Sequence, residues 1–568
     1  MKNVRKLLIT LLVCSGLSAQ NKYFVSTNGD DNNPGTIDKS WGTWAKAFST
    51  AQPGDTVYFR SGTWHPKEVF PRTNTAVLHS PDQAPKSGYN GTANKKICFF
   101  NYPGEEPILD CSQIDTVGRR FNSGISLTGS RYLHLKGLTI TNVFQPYSQE
   151  LACGIGANEC SYLIFENITV SNIGGRGMTY WGVAGHPDVP EIPDDTTKYI
   201  NCDVYNCIDS LSEVPGNGSD GWKLDNESAG YLYFYGCRAW NCGDDGFDIS
   251  GPGIAVLDHC WSFDHNMPGA PDGNGFKFGG NRGNGAYHNE TGDIVLGTPN
   301  SGVRKKVVNC IAVNNAGFGF YELGYAPYYP NNSRVFNNIS YSNGIGIQMA
   351  TNDDYSGKNP SIYRNNIIFK PVQKDAGGRP YFLSVVDIYL ESHNNWDFAD
   401  KSEIGSLMWW KPTDTVTVTD DDFVSLDDSQ LHLPRKKDGS LPDITFLKLL
   451  ESSDLIDAGT DVGIPYQGAT PDIGVFEFNP IISLTNEHKD NSILFHCCPN
   501  PTNGKIKVTF NTYSIANIKI VNSIGTIILS KNIQNGYTID LTPYANGIYF
   551  LILNEGRHIY STNVLKFD

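Results

Sequence analysis

Three short phrases in the middle of the chain share one grammar: Asp220-Gly221-Trp222-Lys223, Asp245-Gly246-Phe247-Asp248 and Asn274-Gly275-Phe276-Lys277. Each sets a polar residue, a glycine, an aromatic and a charged residue in that order. Brought side by side, with Asp244 included, they place four aspartates and two lysines on one small patch. Carboxylates crowded in this way repel one another unless a cation lies among them. A ligand set made only of oxygen favours a hard ion, Ca²⁺ ahead of Mg²⁺. One Asp-Gly is ordinary turn chemistry; three such phrases in register, the middle one carrying extra aspartates, point to a metal held by Asp220, Asp244, Asp245 and Asp248. A lysine beside the cluster is either a surface ion pair contributing at most ~1 kcal/mol or a general base. The second role requires it to be neutral, which a nearby cation promotes and the carboxylates oppose. Lys223 and Lys277 flank Asp248 symmetrically, so stacking alone does not choose between them. A base beside a divalent cation suits β-elimination from a uronic acid. The cation neutralises the sugar carboxylate and acidifies the proton at C5, the lysine removes that proton, and the bond to the oxygen on C4 breaks.

Such a patch exists only if the three phrases stack, and an internal repeat supplies the stacking. Segments beginning at Gly137, Asn167, Asn201, Gly236, His259, Asn309, Asn338 and Asn366 align, as in Asn167-Ile-Thr-Val-Ser-Asn172 and Asn201-Cys-Asp-Val-Tyr-Asn206. Their irregular spacing, from 23 to 50 residues, fits a solenoid of constant coil with variable loops. The expected fold class is therefore all-β, a parallel β-helix. Alternation assigns second and fourth positions to the interior: Leu138/Ile140, Ile168/Val170, Cys202/Val204, Cys237/Ala239, Cys260/Ser262, Cys310/Ala312, Ile339/Tyr341 and Ile367/Phe369. Third and fifth positions face outward, among them Arg238, Trp240 and Tyr205, which with Arg282 and Lys223 are candidate sugar contacts. The sixth position, mostly Asn, predicts an internal hydrogen-bonded ladder at a turn. The inward cysteines read as small hydrophobes, with disulfides between stacked neighbours as the other reading; Cys/His spacing for zinc is lacking. A second column follows each coil: Gly177-Met178-Thr179, the three phrases, Gly317-Phe318-Gly319-Phe320 and Gly344-Ile345-Gly346.

Towards the N-terminus, a helix near Trp44 to Ala51 is expected to cover the first coil. Residues 1–19 read as a secretory signal: Lys2, Arg5 and Lys6, an apolar run from Leu7 to Val13, and Leu17-Ser18-Ala19 for cleavage. No later stretch has the ~20 apolar residues of a membrane span. Without those 19 residues the chain holds 41 basic and 59 acidic side chains, a net charge of −18. That balance excludes nucleic acid as a partner through the overall field, and an anionic substrate needs a local bridge such as a divalent cation. Residues 441–478 read as the closing part of the solenoid, giving a catalytic domain over 20–478. A linker is expected over 479–490 and a small β-sandwich over 491–568, the latter from short alternating strands after Cys498-Pro-Asn-Pro-Thr-Asn-Gly504. The chain is read as a monomer.

Asp220-Gly-Trp, Cys237-Arg-Ala-Trp-Asn241, Asp244-Asp-Gly-Phe-Asp248 and Gly273-Asn-Gly-Phe-Lys-Phe-Gly-Gly280 together resemble the core motifs of polysaccharide lyase family nine. The C-terminal segment resembles the sorting module of secreted Bacteroidetes proteins. The first resemblance spans roughly residues 22–478 and implies a right-handed parallel β-helix acting on pectic polymers of the plant cell wall. It also implies Ca²⁺ on Asp220, Asp244, Asp245 and Asp248, and Lys277 as the base. Phe278 stands where leucine is expected in relatives. The expected activity is calcium-dependent cleavage of pectate by β-elimination. The alternatives are a rhamnogalacturonan lyase of the same family, a β-helix pectin hydrolase working through carboxylates, and a non-catalytic carbohydrate-binding surface protein. A secreted location follows from both ends of the chain.

Overall fold

A computed structural model describes residues 20–67, 75–79, 90–114, 122–146, 152–181, 196–225, 231–250, 254–267, 272–279, 286–288, 294–296, 305–323, 333–350, 361–373, 381–384, 389–395, 416–478, 495–510, 515–522, 527–555 and 558–567. Residues 1–19, read as a signal, Arg282, a candidate sugar contact, and the expected linker over 479–490 lie outside them. The chain divides into two compact units, Met1–Phe478 and Asn479–Asp568.

In the first unit, three long sheets of twelve, ten and ten strands each take one strand from every coil in turn. Pairing between coils is parallel: Thr139 lies beside Thr169, Thr169 beside Asp203, Asp203 beside Arg238 and Arg238 beside Trp261. This is the right-handed β-helix expected. The corners show why Asn and Gly recur. Asn142, Asn172, Asn206, Asn241 and Asn314 have φ between 51° and 58°, the left-handed region that Asn and Gly tolerate best. Their side chains form the expected ladder, Asn172 Nδ2 donating to Asn142 Oδ1 at 3.2 Å and Asn206 Nδ2 to Asn172 Oδ1 at 3.0 Å. The ladder is not internal as expected: it runs along the outer rim, because the left-handed corner turns these side chains away from the core.

The inward positions are filled as alternation requires from Leu138 to Ala312, all of them buried. In the last two coils the assignment slips by one. Ile311 pairs with Ile339 and Ile339 with Ile367, so Ile339, Tyr341, Ile367 and Phe369 face outward. Asn338 and Asn366 enter the interior instead, continuing the cysteine column. Asn338 Nδ2 donates to Asn366 Oδ1, and Asn366 Nδ2 to Asn394 Oδ1, both at 2.9 Å. Each thereby satisfies an amide that would otherwise be buried unpaired. Cys202, Cys237, Cys260 and Cys310 are fully buried, and every described cysteine is a free thiol. The disulfide reading is not realised among the described residues. Helix Trp44–Thr50 begins at Thr43, whose side chain accepts from Lys46 N, and lays Phe48 flat on Phe99 at 3.9 Å in the early coils.

Residues 416–478 add no coil to the three sheets. They lie along the outer face of the sheet that contains Arg238–Trp240, and Phe423, Leu431, Phe446, Leu449 and Leu455 bury the outward Trp261, Phe263, Ile311, Ile339 and Ile367. One buried ion cluster pins this segment. Arg238 grips both oxygens of Asp203 (2.9 and 2.8 Å) and donates to the carbonyls of Leu431 and Leu433. Arg435 reaches the same carboxylate at 2.7 Å.

The second unit holds antiparallel sheets of three and four strands around Ile506, Val508, Ile518, Ile520, Leu551 and Leu553.

Burial alone would raise the Asp203 carboxyl, but Arg238 and Arg435 outweigh it and hold it below its ordinary value. Its contribution to stability is thus present above about pH 4 and fades as pH falls further. Asp203→Ala strands two buried guanidinium groups and should cost about 3–5 kcal/mol. Urea unfolding should show the loss, with earlier proteolysis within 416–478. An unchanged midpoint would remove Asp203 as the anchor of this segment.

Candidate active site

The site stands on the ten-stranded sheet containing Trp222–Asp225, Phe247–Asp248 and Phe276–Gly279. Trp222 pairs with Phe247 and Phe247 with Phe276; one residue on, Lys223 pairs with Asp248 and Asp248 with Lys277. The three phrases therefore occupy equivalent places on consecutive coils. Inside, Trp222, Phe247, Phe276 and Phe320 stack at centroid distances of 4.5, 4.9 and 5.1 Å. This buried column fixes the strands whose next residues point outward.

The turns before these strands are propped from within. Cys242 N–H donates to His265 Nδ1 at 3.1 Å, so the proton sits on Nε2, which donates to Ser262 Oγ at 3.0 Å. Ser262 Oγ donates in turn to the Gly275 carbonyl at 2.7 Å. A Cβ on Gly246 would collide with both Ser262 Oγ and His265 Nε2, which explains the glycine between Asp245 and Phe247.

On the outer side, Asp220, Asp244 and Asp245 each offer an oxygen within 4.8 Å of the others. Asp220 and Asp245 are fully buried and Asp244 nearly so. Asn274 Nδ2 holds Asp245 Oδ1 at 2.7 Å, and Gly218 N holds Asp244 Oδ2 at 2.8 Å. Among the described residues, both oxygens of Asp220 and Oδ1 of Asp244 have no hydrogen-bond donor. Three orphaned carboxylate oxygens in a buried cluster are an unmet demand for a cation, and an all-oxygen set fits Ca²⁺. Asp248 stands apart from the triad. Its carboxylate takes Lys223, lies 3.7 Å from Lys277 Nζ, and accepts from Ser250.

Lys277 Nζ lies 2.9 Å from Asp245 Oδ2 and 3.3 Å from Asp272 Oδ2; Lys223 Nζ lies 3.7 Å from Asp220 Oδ2. Arg176 Nε is 4.0 Å from Asp220 Oδ2. Among the described residues, five carboxylates thus face three cationic side chains, Arg176, Lys223 and Lys277. The surplus equals the charge of one divalent cation. Without that cation the imbalance appears as protonation. Burial, then the neighbouring carboxylates, push Asp244 up to about 9. Burial with Asp248 and Asp245 pushes Asp220 up to about 7 despite Lys223. Burial would raise Asp248 too, but Lys223 and Lys277 hold it low. Burial would lower both lysines, yet the aspartates hold each well above its ordinary value.

Arg238 and Trp240 do not join the site. They lie on a different sheet, Arg238 buried with its guanidinium committed to Asp203, and Trp240 stacked between Tyr205 and Phe263. Sequence reasoning missed Arg176, Asp272 and the inner His265. Arg176 had a signal: Met178 pairs with Trp222, so Arg176 takes in its coil the place Asp220 takes in the next. Asp272 lies in a loop with no repeat.

Residues 23–366 match the family described as the Pel9A-like, right-handed β-helix region, and residues 497–566 match the secretion system C-terminal sorting domain. Pectate lyase L of Dickeya chrysanthemi is 26% identical over 475 residues, covering 82% of this chain and 92% of that protein. The crystal structure of pectate lyase Pel9A aligns with a TM-score of 0.56 at 24% identity, over 82% of this chain and 98% of the other. A rhamnogalacturonan lyase aligns at 0.53 and 24% identity, over 76% and 97%. At such identities the two structures establish the shared fold.

A divalent cation entering this cluster would displace protons from Asp244 and Asp220. Its affinity should rise with pH through the range marked by about 7 for Asp220 and about 9 for Asp244. Calorimetry at pH 7 in two buffers of different ionisation enthalpy should show proton release, and Asp220→Asn should weaken binding. Heats independent of buffer would contradict the protonated cluster.

Proposed function

The chain belongs to the Pel9A-like family of right-handed β-helices and is a polysaccharide lyase; on that premise we propose that it cleaves pectic polyuronate, pectate first, by calcium-dependent β-elimination. Residues 20–478 carry the reaction, 479–490 link, and 491–568 form the sorting domain of a protein that is secreted or displayed at the cell surface. It acts as a monomer. The observation that carries this reading is the set of orphaned oxygens on Asp220 and Asp244 beside two lysines held by the neighbouring Asp245 and Asp248.

Asp220, Asp244 and Asp245 would hold calcium, with Asp248 joining them where its bonds to Lys223 and Ser250 give way; calcium when bound neutralises a uronate carboxylate and acidifies the adjacent C5 proton. Lys277 takes that proton. The C5–H electron pair forms the C4=C5 double bond, the C4–O4 bond breaks, and the leaving oxygen takes a proton from water. Lys277 must be neutral to act, and in the metal-free arrangement Asp245 and Asp248 hold it charged. Carboxylates committed to another cation release it. Lys223 is bound to Asp248 and close to Asp220, a mirror position to Lys277. What favours Lys277 over Lys223 is the resemblance of Gly273-Asn-Gly-Phe-Lys277 to the family's motif.

The test is incubation with polygalacturonate and with rhamnogalacturonan, with calcium or chelator, following ultraviolet absorbance of unsaturated product. Polygalacturonate should give product that disappears with chelator, and Lys277→Ala should lose roughly 10²–10⁴-fold in rate, more than Lys223→Ala. Product from rhamnogalacturonan alone would reassign the substrate. New reducing ends without that absorbance would indicate hydrolysis.

A further inference from the structure

We propose that Arg176 is a carboxylate-binding residue of the substrate cleft, one coil before Asp220, which makes the enzyme selective for free rather than esterified uronates. This rests on the polyuronate reading above. Arg176 differs from the other cationic groups nearby. Lys223 and Lys277 each hydrogen-bond an aspartate, and the structural Arg60, Arg238 and Arg435 each hydrogen-bond a carboxylate. The Arg176 side chain makes no hydrogen bond among the described residues. Its Nε is buried and unpartnered, while the side chain is 27% exposed.

Among the described residues its nearest anion, Asp220, is 4.0 Å away, beyond hydrogen-bond reach, and both oxygens of Asp220 lack donors there as well. The two groups face each other across a gap that neither closes. A cation on the Asp220 side commits that carboxylate and leaves the guanidinium as an idle planar donor array at the rim of the site. Guanidinium donors match a carboxylate bidentately; a methyl ester offers no charge and weaker acceptors. The strand register places Arg176 one coil, ~4.8 Å, from the cluster, so a sugar carboxylate there is adjacent to the reacting one.

The competing role is purely structural, with Arg176 holding Asp220 in place. The two roles predict opposite behaviour of calcium. Removing a positive charge beside a ligand carboxylate strengthens cation binding, or leaves it unchanged, if the geometry survives; losing a brace weakens it.

The experiment uses the full chain carrying Lys277→Ala, which binds without turnover, in saturating calcium. Calorimetry compares trigalacturonate and its methyl ester on this parent and on the same protein with Arg176→Gln or Arg176→Lys. Arg176→Gln should weaken trigalacturonate binding about 10- to 100-fold, leave the ester unchanged and leave calcium affinity equal or higher. Arg176→Lys should recover part of the loss. In the otherwise native enzyme, Arg176→Gln should raise KM on polygalacturonate much more than it lowers kcat. Equal trigalacturonate affinity in parent and Arg176→Gln, or a parallel fall in calcium affinity, overturns the proposal. If the native enzyme yields no unsaturated product, the lyase reading fails separately, and the binding comparison still decides the role of Arg176.

Discussion

Parallel hydrogen bonding between successive coils holds every outward residue of this protein in register with the residue one coil away. Lys223, Asp248 and Lys277 meet for that reason alone, since 25 residues separate the first pair and 29 the second. A one-residue slip would turn each of them inward. The register is guarded at two places: left-handed Asn and Gly corners that fix where each strand starts, and the Trp222–Phe247–Phe276–Phe320 stack that fixes which side faces in.

The site draws on that rigidity. Buried aspartates a few ångströms apart would separate in a compliant fold; here the cost is visible as proton uptake by Asp244 and Asp220. The carboxylates cannot move apart because Asn274 pins Asp245 from the next coil and the His265–Ser262 chain supports the turns from within. The carboxylates are therefore already assembled, which spares the proposed cation the cost of gathering them.

Much of this was legible in the sequence because a solenoid writes its contacts as a repeat. The columns, the inward cysteines and the three phrases all came from alignment of like segments. The alignment failed where Asn occupies two adjacent positions: Asn337-Asn338 and Asn365-Asn366 offer the same letter to two registers, and only the pairing of Ile339 and Ile367 decides. Residues 416–478 carry no repeat, so their place over the outer face, and with it the burial of Arg238, could not be seen. Arg176 was visible in the column and overlooked because it differs in charge from the aspartates that follow it.

The free thiols have a consequence for what holds the helix together. Cys202, Cys237, Cys260 and Cys310 serve as packing atoms, each Sγ turned to a backbone carbonyl of its own or the preceding coil. Among the described residues no crosslink waits to be made. Among the described residues, the helix is therefore held by packing and by pairing between coils, with these thiols filling space in its interior rather than tying coils together.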